Sequence, residues 1–193
     1  MNTEFATYLK TRSNLSQDEI THIFSLAIPR SLRRNEYLFR TGEICQHKAF
    51  ITNGLLRTFN ITEDGNEHIL QFSPEHTWTL DAESYDRQLP SLVSIDALEH
   101  SEVLLWHKSD FNKLLLEIPA LKKFSDGIIS STMHYTRRRV LIALGATPEE
   151  KYNDFVSNFP HLLNRLPLRM IASYLGISLK TLNRVRHSLL RQA

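Results

Sequence analysis

At Trp106 the hydrophobic rhythm of the chain changes, and this limits the fold more than any other feature. Before it, from about residue 33, apolar residues come in short runs separated by turn signals. Tyr37-Leu38-Phe39 precedes Thr41-Gly42, Phe50-Ile51 precedes Asn53-Gly54, and Leu55 to Ile61 alternates up to Asp64-Gly65. Ile69 to Phe72 follows, so the two runs around Asp64-Gly65 read as a hairpin. Further strands are expected at Val93–Ala97 and Val103–Trp106. Short strands at this spacing predict a small barrel or sandwich. Ahead of them, Ser16-Gln17-Asp18-Glu19 reads as a capping box opening a helix that ends by Pro29.

After Trp106 the pattern is helical to the end. Ser109-Asp110 caps a short helix, and Pro119 opens a long one running to about Leu144. Leu121, Phe124, Ile128, Thr132 and Tyr135 fall on one face of it at steps of three and four. That face is read as a dimer seam, against the alternative that the helix lies along its own barrel. Thr147-Pro148 starts a new helix after a break at Gly145. The division expected is 1–118, 119–146 and 147–193.

Charge is unevenly placed. Residues 1–136 hold 13 Lys/Arg and 18 Asp/Glu, whereas residues 137–193 hold 10 and 3. From Arg165 onward there are six basic residues and no acid, which points to a polyanionic partner. The single cysteine, Cys45, excludes an internal disulfide and a cysteine-held zinc or iron–sulfur centre. No signal peptide or membrane span is read from the sequence, so a cytoplasmic protein is expected. No nucleophile–base spacing, P-loop or dinucleotide fingerprint is found, and no enzymatic activity is expected.

The segment 168–190, LRMIASYLGISLKTLNRVRHSLL, carries the most chemistry. Ile171, Ala172 and Leu175 give a first helix its buried side, Gly176 suits a chain reversal, and Ser178 can cap a second helix. Leu182, Val185 and Leu189 then face inward, leaving Lys180, Arg184, His187 and Arg191 opposite, with Asn183 at the edge. Arg and Asn can bond guanine and adenine edges in a bidentate manner, and Lys can meet guanine or phosphate. Ser178 and Thr181, with Arg169 and Leu179 nearby, complete a candidate interface with double-stranded DNA.

With Asn164-Arg165-Leu166-Pro167 before this segment and Asn35 to Glu43, Phe50 to Arg57 and Asp64 to Glu67 far upstream, the chain resembles the Crp/Fnr family of bacterial regulators. The resemblance covers nearly the whole chain. It implies an α+β protein: an N-terminal cyclic-nucleotide-binding-like β-roll (a double-stranded β-helix), a long dimerisation helix and a C-terminal all-α helix-turn-helix domain. It also implies a homodimer reading two half-sites, and contact with RNA polymerase. Arg184 matches a base-contacting Arg of the family, while Leu179 and Lys180 stand where Arg and Glu are common. Nucleotide-binding members carry Gly-Glu and, about nine residues on, Arg-Ser or Arg-Thr. Here the segment is Trp78-Thr79-Leu80-Asp81-Ala82-Glu83-Ser84, and Ser91 holds the Arg position. Binding of cAMP through that cassette is therefore not expected, with Arg87 out of register as a substitute. Asp81, Glu83, Ser84 and Ser91 either line a pocket for another effector or form a solvated loop. No cofactor is expected, and the scattered histidines (His47, His68, His76, His100, His107) show no metal-ligand spacing. The alternative function is a cyclic-nucleotide or small-metabolite sensor acting through a protein contact.

Overall fold

A computed structural model describes residues 3–190, the last of them by its backbone. Two short helices, α1 (Thr3–Arg12) and α2 (Gln17–Ser25), come first. The capping box at the start of α2 forms as read: Glu19 N–H donates to Ser16 Oγ, and the Glu19 carboxylate accepts from Ser16 N–H. Eight strands follow: β1 (Ile28–Leu32), β2 (Tyr37–Phe39), β3 (His47–Asn53), β4 (Leu56–Ile61), β5 (Glu67–Ser73), β6 (Trp78–Thr79), β7 (Ser94–Ala97) and β8 (Ser101–His107), with helix α3 (Ala82–Arg87) between β6 and β7. They make two four-stranded sheets, ordered β1-β8-β3-β6 and β2-β7-β4-β5.

The central strands of the first sheet, β3 and β8, are buried on both faces. On β3 and β8, Ala49, Ile51, Val103 and Leu105 join one core, with Leu56, Ile95 and Ala97 of the second sheet. Phe50, Leu104 and Trp106 point the other way, into a core closed by Phe5 and Leu9 of α1 and Ile20 and Ile23 of α2. Alternate side chains of a strand leave on opposite faces, so a strand covered on both sides reads as an unbroken apolar run. Trp106 is fully buried and its indole N–H donates to Ile23 O at 2.8 Å. At Gly54 (φ +97°) a Cβ would stand 2.3 Å from Ser101 Oγ, so only glycine fits the β3–β4 turn.

The helical half holds α4 (Lys108–Glu117), α5 (Pro119–Gly145), α6 (Pro148–Asn158), a 3₁₀ turn at Pro160–Leu162, α7 (Leu168–Leu175) and α8 (Leu179–Leu190). The chain resolves into two compact units. One contains residues up to Ile61 with Leu70–Ile129; the other contains Thr62–Ile69 with Ser130 onward. The second unit has its own core of Phe155, Leu162, Leu166, Ile171, Ala172, Leu175, Leu182 and Val185.

The α5 stripe read as a dimer seam is placed otherwise. Leu121 is buried in the core of the first unit, with Phe124 packed against it. Ile128 is half-buried, Thr132 is exposed, and Tyr135 bonds within its own chain, its hydroxyl 2.6 Å from that of Tyr174. Helical period marks a face that is covered; it does not say by what. The large apolar side chains that α5 leaves exposed are Ile129, Met133, Val140, Leu141 and Leu144.

Candidate nucleic-acid interface

α7 ends in a backbone reversal built on Gly176, which takes φ +63°. Ile177 N–H donates to Ala172 O and Gly176 N–H to Ser173 O, both at 3.1 Å. This pattern satisfies the last carbonyls of α7 and turns the chain sharply. Ser178 then caps α8: Thr181 N–H donates to Ser178 Oγ at 3.0 Å, and the two hydroxyls lie 2.9 Å apart. Leu182 and Val185 are fully buried, which fixes the rotation of α8 about its axis.

With those two inward, Lys180, Arg184 and His187 are exposed together along one side of α8. Ser178 and Leu179 are exposed at its start, Arg169 is exposed on α7, and Thr181 and Asn183 are half-buried at the margin. Arg191 lies outside the described residues. No carboxylate occurs on α7 or α8, and the free N–H groups at the start of α8 add partial positive charge. The surface can take phosphate and base-edge acceptors.

The support behind α7 was not foreseen from the sequence. Tyr174 is buried, and the Arg139 guanidinium stacks 3.8 Å from its ring centroid while donating to Tyr174 O at 3.1 Å. Burial pushes both the Tyr174 and Tyr135 hydroxyls above the ordinary phenol range, so both stay neutral. Arg138 bonds Asp154 of α6 at 2.7 Å. The second half of α5 is thus bolted to the helices it precedes. The sequence signal is Tyr135, Arg138 and Arg139 at helical spacing, which alone does not name their partners.

In the first unit, three of the four candidate effector residues form a closed network. The Asp81 carboxylate caps α3, accepting from Glu83 N–H at 3.1 Å and Ser84 N–H at 3.4 Å. Ser91 Oγ lies 2.6 Å from Asp81 Oδ2 and accepts from Val93 N–H. Ser84 Oγ donates to Leu89 O and accepts from Cys45 N–H. Glu83 stands apart, exposed and paired with Arg87 at 2.9 Å. Cys45 is buried, and burial pushes its thiol up, away from the reactive thiolate. His47 and His107 meet across β3 and β8 at 5.4 Å between ring centroids. Among the described residues no three His, Cys, Asp or Glu gather as metal ligands, and no helix is long and apolar enough to cross a membrane.

Residues 29–117 match the cyclic nucleotide-binding domain family. The chain is 27% identical over 171 residues to the transcriptional activator protein Anr of Pseudomonas protegens, covering 81% of this chain and 68% of that one. Its fold is similar to that of FixK2 from Bradyrhizobium japonicum (TM-score 0.73, 19% identity, 86% and 85% of the two chains). It is also similar to a CooA variant from Carboxydothermus hydrogenoformans (TM-score 0.76, 12% identity, 100% and 86%). The β-sheet unit is a cyclic-nucleotide-binding-type domain. In sequence and in fold the chain is similar to Crp/Fnr-type transcription regulators.

Proposed function

We propose that this chain controls transcription by placing α8 in the major groove of double-stranded DNA, as a homodimer on two half-sites about one helical turn apart. The observation that carries this reading is the acid-free face of Lys180, Arg184 and His187, with its rotation fixed by Leu182 and Val185. In this reading residues 1–118 sense, helix 119–146 pairs two copies, and residues 147–193 read the duplex. RNA polymerase is the downstream partner, and the cytoplasm, where the chromosome lies, is the place of action.

The test is the salt dependence of duplex affinity. Arg169, Lys180 and Arg184 are the exposed cations described on α7 and α8 of each copy. Six phosphate contacts in a dimer give log K against log salt a slope of about −5. A slope near zero, or no duplex affinity at low salt, would instead favour the terminal helices as a protein-docking module.

The dimer seam proposed is Ile129, Met133, Val140 and Leu144, exposed apolar residues at near-heptad steps on α5. Met133→Glu with Val140→Glu is expected to convert a dimer to a monomer in sedimentation without loss of helicity. A wild-type monomer at micromolar concentration would remove the seam from the proposal.

The sensor is proposed not to take a cyclic nucleotide by the usual cassette. A buried phosphate needs a cationic partner. Ser91 stands at the arginine position, and the N–H groups opening α3 already hold the Asp81 carboxylate. An incoming phosphate would have to displace an anion the chain itself supplies.

A further inference from the structure

Ser173 lies within α7, yet its hydroxyl does not turn back to the helix. A serine in a helix ordinarily bonds the carbonyl one turn earlier. Here Oγ donates to Glu67 O at 2.6 Å and accepts from Ile69 N–H at 3.2 Å. The N–H of one strand residue and the C=O two residues before it point to the same side. One hydroxyl can therefore satisfy both, as a neighbouring strand would. β5 is the outer strand of its sheet, so the hydroxyl bonds the sheet's edge.

The turn before Glu67 is closed on itself. Thr62 N–H donates to Asn66 O and Gly65 N–H to Thr62 O, while Asp64 accepts from the Thr62 hydroxyl and the Asn66 amide. Residues 62–69 belong to the same compact unit as α7 and α8. They carry Glu63, Asp64 and Glu67 and no Lys or Arg. An acidic turn is thereby fixed in the same compact unit as Lys180 and Arg184.

We propose that Ser173 is a latch: through it the DNA-reading helices grip the tip of the β4–β5 hairpin, and the gripped carboxylates lower duplex affinity until the hairpin is drawn away. β4 and β5 are continuous with the tip, so any shift of that hairpin acts on the latch through the chain itself. The inhibitory part rests on the DNA-binding reading above; the latch itself does not.

The experiment compares full-length wild type, Ser173→Ala and Ser173→Thr by amide hydrogen exchange at Ile69 and by duplex affinity at low salt. Loss of one hydrogen bond is expected to speed Ile69 exchange about 10-fold in Ser173→Ala. Ser173→Thr, which keeps the hydroxyl, is expected to restore protection. Ser173→Ala is expected to bind duplex about 5-fold tighter, because phosphates repel carboxylates over roughly a Debye length. That gain is expected to vanish in a Glu63→Gln, Glu67→Gln background. Unchanged Ile69 exchange overturns the latch. Faster exchange with equal or weaker duplex affinity overturns its inhibitory role. Absence of salt-dependent duplex affinity in wild type overturns the DNA reading, while Ile69 exchange judges the latch independently.

Discussion

A Lys180→Ala, Arg184→Ala double variant is expected to lose its specific duplex affinity by about 100-fold or more. A well-made bidentate contact to a base is worth about 1–3 kcal/mol of discrimination, and a lost phosphate contact adds to that. Both side chains are exposed and point away from the core. The two residues that seat α8, Leu182 and Val185, are untouched and fully buried. The variant should therefore keep its helicity and thermal midpoint while its affinity falls. The measurement is fluorescence anisotropy on a duplex selected by the wild type from a random pool. Wild-type affinity in the double variant would show that α8 does not present this face to DNA. Leu179, 44% exposed at the start of α8, would offer a bound duplex an apolar contact suited to a thymine methyl group. Sites selected by this chain are thus expected to differ from those of relatives with Arg and Glu at positions 179 and 180.

Arg57→Ala is expected to cost the fold about 3–5 kcal/mol. Arg57 and Asp96 face each other across β4 and β7. Arg57 Nε donates to Asp96 Oδ1 at 2.8 Å and its NH2 group to Oδ2 at 3.1 Å. Their side chains are only 9% and 4% exposed, and the guanidinium lies 4.2 Å from the Phe59 ring centroid. Removing the arginine leaves a buried carboxylate without its bidentate partner, and it also removes the aliphatic stem and the contact with Phe59. Replacing both members with leucine removes the uncompensated charge and is expected to recover much of the loss. Urea unfolding followed by circular dichroism gives both values. A loss below about 1 kcal/mol in Arg57→Ala would mean that water reaches Asp96 and the pair is not a closed one.

The elements that could be read directly from sequence are those whose signals are local. The capping box of α2, the Asp64-Gly65 hairpin, the long α5 and the α7–α8 turn each depend on residues a few positions apart, and each lies where expected. The missed elements have signals that are weak or masked. β6 is two residues long, and β1 contains Pro29, which reads as a break rather than a strand. β1 pairs with β8, and Pro29 and Leu104 stand opposite each other in that register. α3 is one and a half turns, announced by Asp81 as a cap, a role that its neighbours hid among polar residues. On the interface the outward residues followed from the inward ones, because a helix has only one rotation that buries both Leu182 and Val185. The partners of Tyr135 and Ser173, 39 and 106 residues away, had no local signature.

The border between the two compact units crosses the chain three times: at the end of β4, within β5 and within α5. No linker marks any of these crossings. Protease is therefore expected to find no nick that frees either half. A fragment beginning at Ser130 would leave Ser173 facing water where the hairpin backbone belongs. Transplanting the terminal helices onto an unrelated protein would carry Lys180 and Arg184 but leave behind the turn that Ser173 bonds in the native chain. The helical unit is, in covalent terms, not a cassette.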